Sequence, residues 1–563
     1  MATNPNSSSL GQKHWVPILA LSLIYAVIYG PSVFARIVAS EFMEIDPRSI
    51  MTSLDGLTTG PTYYNMNKQY HSQFYGWTYF SLNFFLIMIA KLFAVTSEMS
   101  INLIVRGSLF IIGLGLVAQT YHLVQKFFAR IWAFALTIVV IVNPVSAHYF
   151  ITIHPESLGV LLQLIAVGIL ISLYQNLPKF SKKKFFLAVL FLSLSSLSKQ
   201  PFFITGTFVY IGFLIIALTT AEKPVALAGW WPICKVTLQS IGVFLLVLLF
   251  IHPYALVQMN EFLATQSSLS GEHAGKSFPE VWPRWRAQLL ANFLPLINIA
   301  LLPFILLLRQ VPLALKVTAV FTMLAVVIFI LNARLFVNIN YLYPVYFFLS
   351  FNAFYFVFKV VVPRVRHTAG HAVGAGLQGV CVALIAVVSL SNFAHAVTKT
   401  HQRFLLDGLT TQHVTWSYLE QFETGTRVVF SPNVAVLAPL IATSCNAWSG
   451  CGDQVGIADY DPDIVVFSPE YPHFEAAEFE TFVSQSTYEL RKTVEAQDWP
   501  ELSACTATPA GIQAGETIGI GLVVAHYLSN PLRCKTAYVA SLQAYADQAI
   551  VLGYDTRIYV KGQ

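Results

Sequence analysis

Residues 125–175 read QKFFARIWAFALTIVVIVNPVSAHYFITIHPESLGVLLQLIAVGILISLYQ. Two nearly uninterrupted apolar runs, 131–150 and 157–175, are each close to the ~20 residues needed to cross a hydrocarbon core. Lys126 and Arg130 precede the first run, His154, Pro155 and Glu156 separate the two, and Lys179, Lys182, Lys183 and Lys184 follow the second. A basic loop, an apolar run, a polar corner, a second apolar run and another basic loop describe a membrane hairpin whose basic ends share one side.

The rest of the chain repeats the pattern. Of its 563 residues 56% are hydrophobic and 11% charged, with a mean hydropathy of +0.62. Average soluble chains carry about 25% charged residues. So low a charge fraction cannot cover the surface of a water-soluble protein this large, which excludes an ordinary cytosolic enzyme, a disordered chain and a nucleic-acid binder. Aromatic residues reach 14%, which suits lipid contact and interfacial belts. Further apolar runs lie near 15–36, 77–95, 101–122, 185–198, 201–219, 236–256, 288–308, 313–331, 338–359 and 374–396. No small-residue cleavage site follows the first, so it reads as an uncleaved helix.

The basic residues decide the topology. Lys126 with Arg130, the Lys179–Lys184 cluster, Lys223 with Lys235, Arg309 with Lys316, and Lys359 with Arg364 and Arg366 fall at alternate loops. They share one side with the N-terminus only if one early run fails to cross. The run at 77–95 is that one: it follows a long polar loop, holds Trp77, Tyr79 and Asn83, and has Lys91 near its end. The expected fold is an α-helical polytopic membrane protein of about 11 spans plus an embedded helix, with its N-terminus inside. Residues 1–396 form the transmembrane part. Residues 397–563, of mixed polarity, form an extracytoplasmic α/β domain, in which GTRVVFSPNVAVLAPLIA (425–442) and DPDIVVFSP (461–469) each read as a buried strand running into a loop. Cys445, Cys451, Cys505 and Cys534 all lie in that domain. An even number of external cysteines predicts disulfides, with Cys445 and Cys451 the natural short loop.

The polar chemistry collects outside. The first external loop carries Glu41, Glu44, Asp46 and Asp55, followed by Tyr63, Tyr64, Tyr70, His71 and Tyr75. His154, Pro155 and Glu156 stand at the outer mouth of a span, where Glu156 also suits the positive end of a helix dipole. In LSSLSKQPFF (194–203) Lys199 occupies a tight turn, where a lone lysine ordinarily snorkels outward. A loop from His252 to Arg286 carries His273, Lys276, Trp282, Arg284, Trp285 and Arg286, and NARLFVNINYLYP (332–344) puts Arg334 at an outer membrane edge. External arginine runs against the positive-inside trend and points to an anionic partner. No Walker loop, Rossmann fingerprint, metal-ligand spacing, internal repeat or set of paired intramembrane ions is seen. External acids together with external cations suit a transfer reaction with an anionic lipid leaving group.

As an ordered series, roughly over residues 15–360, the chain resembles the GT-C superfamily of membrane glycosyltransferases, which includes protein O-mannosyltransferases, lipid A aminoarabinose transferases and oligosaccharyltransferase catalytic subunits. A first helix is followed by a loop with Glu44 and Asp46. YHSQFYGW (70–77) is similar to the family's lead-in to an embedded helix, and SEMSINLIVRG (97–107), with Glu98 and Arg106, to its approach to the next span. The run from Gln125 to Ser157 is similar to its basic turn, helix and acid-bearing end, with His154 where the family has Arg and Glu156 at the acid position. The family's acidic pair is adjacent, whereas Ile45 separates Glu44 from Asp46 here.

The resemblance implies an inverting transferase of the plasma (inner) membrane that moves a sugar from a polyprenyl-phosphate donor to a lipid, glycan or protein acceptor on the outer face. Asp46 or Glu44 is then the general base. Pro47 restricts the backbone of Asp46 and so favours it. Glu156 becomes a second acid near the donor phosphate, with a divalent metal as one option, and His71, His154, Lys199 and Arg334 become donor-binding residues. A lipid-linked sugar flippase or exporter is the alternative. It calls for a membrane-deep polar path and no catalytic acid.

Overall fold

The computed structural model describes residues 15–34, 77–94, 98–176, 180–219, 230–252, 260, 277–332, 339–406, 409–422, 426–430, 443–446, 461–469, 476–485, 487–497, 500–506, 520–547 and 555–562. Among them, eight helices are each long and apolar enough to cross a membrane, and two bent pairs qualify if each counts as one span.

In chain order the membrane part contains α1 (Trp15–Tyr29), α2 (Trp77–Leu92), α3 (Glu98–Gln125), α4 (Arg130–Val142), α5 (Pro144–Ile151), α6 (Glu156–Gln175), α7 (Lys182–Ser196), α8 (Gln200–Thr219) and α9 (Trp230–Ile251). It continues through α10 (Phe278–Ala291), α11 (Phe293–Leu307), α12 (Leu313–Asn332), α13 (Tyr343–Tyr355), a π-helical segment (Phe356–Val361), α14 (Val362–Thr368) and α15 (His371–Leu405). Within the described residues, each apolar run of the sequence is helical. At 16 residues, α2 spans roughly 24 Å, less than the ~30 Å of a hydrocarbon core. The 15-residue α7 is about as short.

One run is broken where the sequence suggests continuity, and one expected loop is helical. The run 131–150 bends by 64° between α4 and α5. Pro144 cannot supply the N–H that would continue α4. The Asn143 side chain instead caps the new helix, accepting from the Val145 N–H at 2.9 Å. The expected loop before Arg286 is already helical from Phe278, and Trp285 is buried against Phe278, Ile330 and Tyr341.

Between membrane helices the surroundings are as apolar as the interface, so close contact rather than water exclusion drives association. Small residues mark the tight crossings. A Cβ on Gly113 of α3 would lie 1.8 Å from the Tyr25 hydroxyl of α1. One on Gly159 of α6 would lie 2.9 Å from the Phe202 ring of α8. The Tyr29 hydroxyl also donates to the Ile141 carbonyl at 2.7 Å, tying α1 to α4.

Helix α15 carries the chain through residue 396 into the C-terminal part, which adds α16 (Thr411–Leu419), α17 (Ala476–Gln485), α18 (Pro500–Ser503) and α19 (Ile520–Asp547). Its strands are β1 (Arg427–Phe430), β2 (Thr443–Asn446), β3 (Ile464–Phe467), β4 (Tyr488–Val494) and β5 (Thr556–Lys561). They form one sheet of order β2-β1-β3-β5-β4, with β1 parallel to β2 and β3, and β5 antiparallel to β3 and β4. The two expected strands are β1 and β3, whose Val428, Val429 and Ile464–Phe467 are buried. Helix α19 packs along α15, and a disulfide joins Cys505 to Cys534. Whether Cys445 pairs with Cys451 lies outside the described residues.

Candidate functional site

The corner between α5 and α6 is a short non-helical stretch that Pro155 closes, with Glu156 as the first residue of α6. The Ser157 hydroxyl donates to the Tyr149 carbonyl at 2.9 Å, which clamps the start of α6 onto the end of α5. Tyr149 stacks on Tyr343 with ring centroids 4.5 Å apart, and its hydroxyl donates to the Asn340 carbonyl at 3.2 Å. The first turn of α13 is thereby docked on the same corner.

A second corner, between α7 and α8, supplies Lys199. The Ser195 hydroxyl donates to the Gly159 carbonyl at 2.8 Å, and Phe202 fills the space that Gly159 leaves. These contacts pull the α7–α8 corner onto the first turn of α6. Lys199 Nζ then donates to Glu156 Oε1 at 2.7 Å. His154 Nδ1 bonds to the other carboxylate oxygen, Oε2.

All three residues sit inside the protein, with Glu156 2% and His154 6% exposed and the Lys199 side chain at 17%. A buried carboxylate is costly unless paired and hydrogen-bonded. Here one cation and one ring nitrogen satisfy both oxygens. A carboxylate is acceptor-only, so His154 Nδ1 carries the proton and donates. The dipole of α6 adds to the same effect.

Lys199 therefore does not snorkel outward as a lone lysine would, because Glu156 holds it. The donor set bears on the metal option too. A divalent ion at this place takes oxygen ligands, yet both Glu156 oxygens already serve nitrogen donors. The described residues of this corner do not fit an ion. The group of His395, Cys505 and Cys534 is a disulfide beside a histidine, 3.7 Å from Cys505 Sγ to His395 Nδ1, and its sulfurs are committed to each other.

Three of the expected site residues, His154, Glu156 and Lys199, are thus brought together. Glu44, Asp46, His71 and Arg334 lie outside the described residues. Reading the sequence did not single out Tyr149, Ser157 or Tyr343, although Tyr343 stands in the stretch quoted for Arg334. Arg106 is 3% exposed and reaches the Ile151 carbonyl at 3.4 Å, at the end of α5. The Trp77 and His252 rings meet with centroids 3.6 Å apart and planes tilted by 32°, joining α2 to the end of α9.

The cluster lies at one end of the bundle. Helix α6 begins at Glu156 and α7 ends at Ser196, next to Lys199, whereas Lys182, Lys183 and Lys184 start α7 at the far end. In α13, Tyr343 meets the corner, while Tyr355 packs on Phe127 and Phe128 beside the basic turn of Lys126 and Arg130.

The chain is similar in structure to an oligosaccharyltransferase and to ArnT. It aligns with the apo form of the Archaeoglobus fulgidus oligosaccharyltransferase at 12% identity and a TM-score of 0.46, covering 98% of this chain and 89% of that one. ArnT from Cupriavidus metallidurans in the apo state gives 11% identity and a TM-score of 0.47, over 85% of this chain and 95% of that one. The archaeal enzyme in complex with an inhibitory peptide and a dolichol-phosphate aligns at 11% identity and a TM-score of 0.44. No family model and no curated protein matches. A likeness at this level bears on neither substrate nor site residues.

Proposed function

We propose that the chain is a membrane glycosyltransferase that moves a sugar from a polyprenyl-phosphate donor to an acceptor hydroxyl on the outer face. The observation that carries this reading is the buried Glu156 with Lys199 and His154 at the end of the bundle away from the basic loops. With the basic loops cytoplasmic, that end is the outer one, where the acid-bearing first loop also leaves the first span.

In this mechanism the acceptor oxygen attacks the anomeric carbon as the bond from that carbon to the phosphate oxygen breaks. The acceptor proton passes to Asp46, with Glu44 the alternative base. The electron pair of the broken bond stays on the lipid phosphate. Lys199 and His154 are preorganised cationic or N–H donors that offset this developing charge, which is worth most where water is excluded. Glu156 acts as a positioning residue that fixes both. Arg334 and His71 complete the donor site, and the C-terminal domain selects the acceptor or caps the cavity.

The test is a transfer assay with purified protein and a panel of polyprenyl-phosphate sugars. One of them should be turned over, and Asp46→Asn should lose about 10²-fold or more, the usual contribution of a general base. Glu44→Gln should lose less. Near-normal turnover in both variants would remove the proposed base, and no transfer from any donor would remove the activity.

A further inference from the structure

The end of the bundle opposite Glu156 holds a cavity of about 450 Å³, lined by Gln310, Tyr355, Lys359, Arg364, His367 and Thr368 among others, none of them acidic. We propose that it is a binding site for a phosphate-bearing group at the membrane edge.

The backbone explains why these residues converge. Pro363 has no N–H, and its ring would collide with the carbonyl four residues earlier, that of Lys359, in a regular helix. The chain answers by widening: residues 356–361 are π-helical, and the Val362 N–H bonds to the Val357 carbonyl, five residues back. In an α-helix, residues five apart point about 140° away from each other. The wider turn lowers that angle and brings the two closer to one side, and such turns are frequent at functional sites. Lys359 and Arg364 are five apart and line one cavity. His367 and Thr368 follow one turn later on the same side.

The cations are also held in place. Lys359 Nζ lies 5.6 Å from the Phe128 ring centroid, and Arg364 donates from one guanidinium nitrogen to Gln310 on the α11–α12 loop. A guanidinium has five donors in a planar fork suited to phosphate, and the bond to Gln310 orients it. The positive-inside trend accounts for basic residues on this side. It does not require Lys359, Arg364 and His367 to share a cavity with Tyr355 and Gln310. Lys182, Lys183 and Lys184 lie on the same side and are exposed, as Lys359, Arg364 and His367 are, but none of the three lines this cavity.

Phospholipid headgroups and soluble phosphate compounds share this chemistry, and the experiment separates them. The full chain is placed in nanodiscs of phosphatidylcholine with a minority of phosphatidylglycerol, and retained phosphatidylglycerol is counted by mass spectrometry. A second arm adds inorganic phosphate to pure phosphatidylcholine nanodiscs and reads protection against thermal unfolding. Retention in the first arm assigns a lipid headgroup, and protection in the second alone assigns a soluble phosphate. In the responding arm, Lys359→Gln with Arg364→Gln should weaken binding at least about tenfold, equivalent to ~1.4 kcal/mol. Replacing Lys182, Lys183 and Lys184 by Gln should leave it within about twofold, since none of them lines the cavity and charges away from the site act weakly and diffusely. Gln310→Glu, on an exposed loop, sets a carboxylate against Arg364 and should weaken binding without threatening the fold. No response in either arm, or equal loss in the triple-lysine variant, would overturn the proposal.

Discussion

Replacing Glu156 by Gln tests whether the acid is a structural keystone for its two partners. The substitution keeps size and shape but leaves one acceptor oxygen and one NH₂ where two acceptors stood. Lys199 Nζ at 2.7 Å and His154 Nδ1 each need an acceptor, so one of them must face a donor. A hydrogen bond to a charged group contributes ~1.5–3 kcal/mol. Stranding the remaining partner of a buried ion pair costs about 3–5 kcal/mol. The 17% exposure of the Lys199 side chain gives the ammonium a path toward water, which favours the lower part of that range, about 3 kcal/mol. The double variant Glu156→Gln with Lys199→Met removes both charges and should recover about 2 kcal/mol of that loss, a coupling of the size contacting residues show. Stability is read as thermal unfolding of the parent, the Glu156→Gln and Lys199→Met single variants and the double variant in one detergent, and transfer is assayed in parallel. Recovered stability with activity still absent would separate the structural from the functional role of Lys199. If Glu156→Gln melts like the parent, or the double variant is no more stable than the single, the buried pair does not hold the corner together.

Other outcomes follow from the C-terminal part and the topology. Cys505 and Cys534 are 29 residues apart in sequence, so Cys505→Ser should cost ~3.6 kcal/mol by loop entropy, and in the parent both cysteines should resist alkylation until a reductant is added. Asp461 is exposed and hydrogen-bonded to Lys561, which, with Arg427, holds its pKa below the usual carboxylate value. The sign is that of a depressed carboxyl: its stabilisation is present above the ordinary Asp pKa of about 3.9 and is lost as pH falls below it. Melting followed from pH 6 to 3 (values near the carboxylate range) should therefore drop less steeply in Asp461→Asn than in the parent, and identical slopes would refute the linkage. A C-terminal reporter that works only in the cytoplasm should be silent, because the basic loops mark the opposite side; an active fusion reverses the topology.

Sequence by itself determined the fold class. Low charge, long apolar runs and alternating basic loops are local properties, and a membrane permits few structures that satisfy every backbone group. The strands at Arg427–Phe430 and Ile464–Phe467 were legible for the same reason, as short β-branched runs between turn signals. His154 and Glu156 were legible as neighbours because only Pro155 separates them. Tertiary structure alone decided the rest. Lys199 is 43 residues from Glu156, and their meeting depends on a bare Gly159, the Phe202 ring that fills it and the Ser195 hydroxyl that fixes the offset of α7 on α6. No periodicity encodes that offset. The break at Pro144 and the widened turn before Pro363 likewise begin as residues a sequence displays. A proline in an apolar run can bend, kink or widen a helix, and the packing around it selects which.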